Sequence, residues 1–292
     1  MLYDRLISYQ KIEKGWSSDQ KFCVTDEAGQ KYLLRISPKE KAAFRADMYR
    51  MQSEAAKLDI PICLPLEFGE CEQGVYTVQS WIDGVDLEDV IDGYSQEKQY
   101  AYGLDAGRIL KKIHSIPAPG DFPEWEERFN AKIDRKIKIY SECPLKYENG
   151  ECLIEYIEQN RHLLHGRPQC YQHGDYHIGN MMVDANGRLV IIDFDRYDFG
   201  DPWEEFNRIV WCAQKSPALA SGMVDGYFEG KVPEQFWRLL GLYIASNTLS
   251  SLPWAIPFGD GEVDTMRKQA REVMDWYDHM RQYLPKWYMG GK

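Results

Sequence analysis

Three polar side chains in one stretch offer chemistry: Asp175, Asn180 and Asp193. Asp175 follows His173 by two residues, and Asn180 follows Asp175 by five. Between Asn180 and Asp193 two short apolar runs, Met181–Val183 and Leu189–Ile192, flank Asn186-Gly187. Asn-Gly between two such runs is the strongest short-range signal for a β-hairpin. A hairpin there brings Asn180, just before its first strand, beside Asp193, just after its second. An amide oxygen and a carboxylate side by side are hard ligands suited to Mg²⁺, which takes one or two carboxylates and leaves the rest of its shell to substrate phosphates and water. Asp175, on the loop before Asn180, then has the layout of a base accepting a proton from a hydroxyl that attacks a phosphate.

Such a loop needs elements to hold it. The first part of the chain reads as strands: Leu6–Glu13, Lys21–Thr25 and Tyr32–Ile36, broken by the polar segment 14–19 and by Asp26-Glu27-Ala28-Gly29. The first breaker is a loop whose backbone N–H groups can cover phosphates, although it carries one glycine and no G-x-G-x-x-G. Arg35 closes the third strand, where a cation either extends to solvent or points at an anion with its planar fork. Pro38–Asp59 has Phe44, Met48, Met51, Ala55 and Leu58 at helical spacing, with Asp47 and Glu54 along the buried edge, where either could pair with Arg35 or stay solvated. Leu64–Glu70 and Val75–Ile82 complete five strands. Beyond the connector Trp81–Gly84 the pattern turns helical: Gln96–Ser115, Trp125–Cys143, Cys152–Leu164, then Trp203–Ala213, Leu219–Glu229, Glu234–Leu252 and Glu262–Leu284. The shift at residue 82 divides the chain into 1–82, rich in strands, and 83–292, mainly helical and carrying the stretch with Asp175, Asn180 and Asp193. The fold class expected is α+β, with a small antiparallel sheet carrying one inserted helix and a larger mainly helical part.

Composition bounds the alternatives. The 292 residues are 44% hydrophobic and 28% charged, an ordinary globular balance. No stretch approaches the roughly 20 apolar residues of a membrane span, and Met1–Arg5 does not open a signal peptide. These readings, with seven scattered cysteines and no C-x-x-C pair, give a cytoplasmic expectation with reduced thiols and no membrane partner. The net charge of −11 argues against nucleic acid, which needs a basic footprint. It suits a cationic small substrate, though acidity also serves solubility alone.

The five-stranded lobe, inserted helix, connector and helical lobe carry His173-Gly174-Asp175, Asn180 and Ile192-Asp193-Phe194-Asp195, then Gly200-Asp201-Pro202-Trp203-Glu204-Glu205-Phe206. In these motifs the chain resembles the aminoglycoside phosphotransferase family, whose protein-kinase-like fold also serves choline, homoserine, methylthioribose and fructosamine kinases. The resemblance implies Asp175 as catalytic base, Asn180 and Asp193 as Mg²⁺ ligands, His173 as a brace of the loop, and Arg35 as the triphosphate-binding cation. It implies Ser17 and Ser18 in the nucleotide-positioning loop, and Ser80 and Ile82 in the connector that meets the purine edge of ATP or GTP. Asp195 stands where a protein kinase has the glycine of D-F-G. The absence of an A-P-E segment argues against a protein substrate. A small acceptor, aminoglycoside-type or an endogenous metabolite, would then meet Asp198, Asp201 and Glu204, although Asp201 with Pro202, and Glu204 with Glu205, equally suit a helix start.

Two other classes compete. In a metallohydrolase, His173, Asp175 and His177 would alternate along an extended segment and face one metal, a reading that leaves Asn180 and the hairpin unexplained. A non-catalytic nucleotide-binding relative draws only on Arg35 and the poor glycine loop.

Overall fold

The computed structural model describes residues 1–13 and 19–290, in two compact units. The first joins Met1–Leu87 to Gly179–Tyr197. Its sheet contains β1 (Leu6–Lys11), β2 (Gln20–Asp26), β3 (Lys31–Ser37), β4 (Pro65–Cys71) and β5 (Gly74–Ser80), in the antiparallel order β1-β2-β3-β5-β4. Alternation along β1–β3 and β5 places Leu6, Val24, Leu34, Ile36, Tyr76 and Val78 in one buried cluster. The inserted helix, α1 (Ala42–Ala56), buries Arg45, Met48, Met51, Gln52 and Ala55. Phe44, expected on that face, is exposed and stacks on Tyr197.

The hairpin forms as the Asn-Gly signal requires. With β6 (Gly84–Asp86) before them in the chain, β8 (Met181–Asp184) and β9 (Leu189–Ile191) make a small antiparallel sheet in the order β6-β8-β9. Asp184 Oδ1 accepts from the N–H groups of Asn186 and Arg188, fixing the turn. The Cys63 N–H donates to the Ile191 carbonyl at 3.2 Å and the Ile191 N–H to Pro61 at 2.9 Å. These bonds, with β6, tie the hairpin to the strand-rich unit, whereas a division at residue 82 assigns it to the helical one.

The second unit joins Glu88–Ile178 to Asp198–Lys292. After the short α2 (Leu87–Val90), which spans the unit boundary, it holds α3 (Gln96–Ile113), α4 (Trp125–Glu142), α5 (Glu151–Asn160), α6 (Ile209–Lys215), α7 (Pro217–Phe228), α8 (Glu234–Ala255) and α9 (Asp260–Trp276). A two-stranded ribbon pairs β7 (Cys170–Gln172) with β10 (Asp198–Gly200). The α3–α7 contact is backbone on backbone. A Cβ at Gly103 or Gly107 would lie 2.2 Å from the Leu219 carbonyl or 2.1 Å from that of Met223, and Gly222 and Gly226 face α3 as closely. The helix α8 runs through Pro253, so the proline does not end it. The helix α9 ends at Trp276, short of the expected Leu284, because Asp278, His279 and Met280 adopt left-handed backbone angles. Among the described residues no helix is long and apolar enough to cross a membrane.

Candidate active site

The residues singled out in the sequence fall in both units. In the strand-rich unit, the Ile192 N–H donates to the Asn180 carbonyl at 3.0 Å, so the closed hairpin sets Asn180 against the residue preceding Asp193. Asp193 has φ of 64°. An L-residue enters this left-handed region only at a cost, which aspartate tolerates better than most, and such backbone clusters at functional sites. The turn leaves the Asp193 side chain 41% exposed, and its Oδ1 accepts from Arg35 at 3.4 Å. An amide oxygen and a carboxylate are donors of the kind that Mg²⁺ takes, with phosphates and water completing its shell. Among the described residues no group of three His, Cys, Asp or Glu side chains suits a self-sufficient metal cage.

Arg35 is buried and paired with Asp19, Asp193 and Asp195. Neither helix carboxylate meets it. Asp47 pairs with Arg50 at 3.4 Å and Glu54 with Lys57 at 2.7 Å, both toward solvent. The helix instead contributes a second guanidinium, Arg45, which binds Asp19 and Asp195. Its sequence signal is its position three residues before Met48, on the buried stripe; an arginine there reads as a stray surface charge. The connector is partly engaged: Ser80 donates its N–H to the Leu64 carbonyl at 2.9 Å, and its hydroxyl accepts from the Leu64 N–H. Ile82 follows, half-buried. Ser17 and Ser18 lie outside the described residues.

In the helical unit, His173 is fully buried, its Nδ1 accepts from the Asp175 N–H at 3.3 Å, and its ring meets Tyr176 edge-on. The segment is not extended, so the alternation of His173, Asp175 and His177 does not build a shared metal face. Gly174 takes φ of +84° and donates its N–H to both oxygens of buried Glu205, at 2.9 and 3.2 Å. Asp175 is half-buried; Arg208 Nε lies 3.3 Å and His177 Nε2 3.6 Å from its Oδ1. Residues 204–208 form one 3₁₀ segment, so Glu205 holds the loop backbone and Arg208 the carboxylate from a single rigid piece. Sequence reasoning passed over Arg208.

The three carboxylates expected at an acceptor are all engaged. Asp201 is the correction: it is 0% exposed. It accepts from Arg167 Nε and Nη2 at 2.7 and 2.8 Å, from the Tyr243 hydroxyl at 2.6 Å and from the Trp203 N–H at 2.9 Å. These bonds leave it no face toward an acceptor. Asp198 is exposed but held by Arg128 at 3.2 Å, and Glu204 by Lys132 at 3.1 Å. Burial works to raise the Glu204 carboxyl, but the charges of Lys132, Lys136 and Arg208 outweigh it and hold the group below its usual range. One turn along α4, burial and then the Lys132 charge push the Lys136 ammonium down to about 7.

The family model of the phosphotransferase enzyme family, APH, matches residues 8–238. The chain belongs to the APH family. Among solved structures, an aminoglycoside phosphotransferase APH(4)-Ia variant is 18% identical with a TM-score of 0.66, over 93% of this chain and 95% of that one. A choline/ethanolamine kinase family protein from Mesorhizobium loti is 20% identical at the same TM-score, over 97% and 93%. The amicoumacin kinase hAmiN, in complex with AMP-PNP and Ca²⁺, is 13% identical, again at 0.66 and with the same coverage. This APH chain thus has the kinase-like α+β fold and is a phosphotransferase that takes an alcohol group of a small molecule as acceptor.

Proposed function

We propose that this APH enzyme transfers the γ-phosphate of a nucleoside triphosphate, ATP or GTP, to a hydroxyl of a small acceptor, with Mg²⁺. The observation that carries the reading is Asp193: a strained, half-exposed carboxylate at the end of the hairpin that starts from Asn180, beside the Arg35 guanidinium. Related structures hold nucleotides in complex, ADP in an APH(4)-Ia variant and AMP-PNP in the amicoumacin kinase. Asn180 and Asp193 would hold the Mg²⁺ ion, whose charge neutralises phosphate oxygens during transfer. Arg35 binds the phosphates. The connector backbone at Ser80 and Ile82 meets the purine edge. Asp175 accepts the proton of the attacking hydroxyl; Arg208 and the Asp175 N–H bond to His173 fix its position. Phosphoryl transfer asks for little covalent chemistry, so this positioning and charge neutralisation constitute the catalysis.

The acceptor we propose first is an aminoglycoside-type antibiotic, in keeping with the acidic chain and with the hygromycin B held by an APH(4)-Ia variant. A second reading, a kinase of an endogenous metabolite of the choline, homoserine, methylthioribose or fructosamine type, draws on a specific observation. Asp198 and Glu204 already hold Arg128 and Lys132, so a polycation would have to displace them. An ADP-release screen of aminoglycosides, macrolides, choline, homoserine, methylthioribose and fructosamines with both nucleotides separates the two. Asp175→Ala and Asp193→Ala should abolish turnover while leaving the protein folded. Full turnover in purified Asp175→Ala would overturn the assignment.

A further inference from the structure

The strand-rich unit contains a buried charge cluster that the phosphotransfer reading does not require. Arg45 on α1 is buried and uses its whole fork. Its Nε donates to Ser37 Oγ at 2.9 Å, one Nη contacts Met48 Sδ and Asp195 Oδ1, both at 3.0 Å, and the other binds Asp19 Oδ2. Asp19 is itself fully buried and also pairs with Lys41 at 3.0 Å. The same two carboxylates reach Arg35: Asp195 pairs with it directly, and Asp19 Oδ2 lies 3.8 Å from its Nη1. Asp19 and Asp195 are therefore shared between two guanidiniums 10 residues apart in the sequence.

Charge balance gives the sharing a consequence. Arg45 and Lys41 between them neutralise Asp19 and Asp195. Without Arg45, two carboxylates in a weakly screened site would turn to Arg35, where a buried charge must find a partner. Arg35, already in contact with both, would then have to balance the share of their charge that Arg45 now carries, and its attraction for phosphate would be cancelled. Lys21, directly opposite Arg35 in the β2–β3 ladder, has its ammonium pushed down by burial first and by the Arg35 charge next. Asp19 stays below its usual range although burial opposes this, through its bond to Lys41 and the charges of Arg45, Lys41 and Arg35.

We propose that Arg45 is a positioning residue for Arg35: by sharing Asp19 and Asp195 it takes part of their charge off Arg35, and leaves that guanidinium able to attract nucleotide phosphates. The inference rests on Arg35 being the phosphate-binding cation. In the kinase arrangement a helix carboxylate steadies the strand cation; this chain reverses the sign and reaches the same end through two intervening aspartates.

The test is Mg²⁺·AMP-PNP binding by isothermal titration calorimetry, alongside thermal unfolding and the nucleotide KM and kcat. Arg45→Gln should weaken binding by on the order of tenfold to a hundredfold, the worth of a charge-assisted hydrogen bond, with the loss in nucleotide KM more than in kcat. Adding Asp19→Asn, which removes the surplus carboxylate, should restore most of the affinity. Arg45→Lys keeps the charge, spares the fold and should fall between the two. An Arg45→Gln protein that melts earlier yet binds AMP-PNP as tightly as the parent overturns the proposal, as does a double variant that regains nothing. A parent protein that binds no Mg²⁺·AMP-PNP overturns the nucleotide reading itself, a result distinct from a parent that binds and an Arg45→Gln that binds equally.

Discussion

Asp201→Asn distinguishes an architectural carboxylate from an acceptor ligand. The side chain is fully buried and accepts four hydrogen bonds, two of them from one guanidinium. Asparagine has nearly the same shape, so it opens no cavity and the effect is electrostatic. One carboxylate oxygen becomes an NH₂ donor, which must face a donor of Arg167 or Tyr243. The Arg167 side chain, 10% exposed and stacked 3.7 Å over the Trp203 ring, loses its counter-charge. Breaking a buried pair by removing one partner costs about 3–5 kcal/mol, far more than the roughly 1 kcal/mol of a neutral hydrogen bond. At about 2–4 °C per kcal/mol for domains of about 150–250 residues, thermal unfolding should shift down by about 6–20 °C. The assay is calorimetric or fluorescence-monitored unfolding of parent and variant, with acceptor KM measured below both transitions. A variant that unfolds with the parent but shows a raised acceptor KM would refute the reasoning and return Asp201 to the acceptor site.

Asp175→Asn should lower kcat by about 10²–10⁴-fold, the range of general base catalysis, while calorimetry shows Mg²⁺·AMP-PNP affinity unchanged; a large loss of nucleotide affinity would show that Asp175 acts elsewhere. Gly107→Ala gains at most about 1 kcal/mol of helix propensity but drives a methyl against the Met223 carbonyl. Overpacking of that kind costs about 1–3 kcal/mol, so urea unfolding should show a net loss of stability, and a stabilised variant would show that the helices separate freely. Lys136 titrates near 7 in the folded chain and about 10.4 when unfolded, so the unfolded state binds more protons between those values. Its contribution therefore makes stability rise with pH from about 7 to about 10. Lys136→Met should be more stable than the parent at pH 6, with the gap closing by pH 10; a gap independent of pH would show that Lys136 keeps its ordinary basicity.

What is local was legible in the order of the residues. The Asn186-Gly187 turn and its flanking apolar runs specified the hairpin, because turn chemistry and strand alternation act over a few residues. The strands around Arg35, the helical segments and the spacing of Asp175, Asn180 and Asp193 followed from the same short-range rules. Helix ends were less legible: α9 stops where three consecutive residues turn left-handed, and α8 continues through Pro253. Tertiary structure alone decided the partners. Arg35 and Asp193 are 158 residues apart, and no periodicity tells whether a carboxylate on α1 or one from Asp19 or Asp195 will reach a given guanidinium. The same holds for Asp201, whose Asp-Pro context fitted either a helix start or a ligand until Arg167 and Tyr243 were seen to close around it. A buried charge is fixed by whichever opposite charge the packed chain delivers, and the fold as a whole makes that delivery.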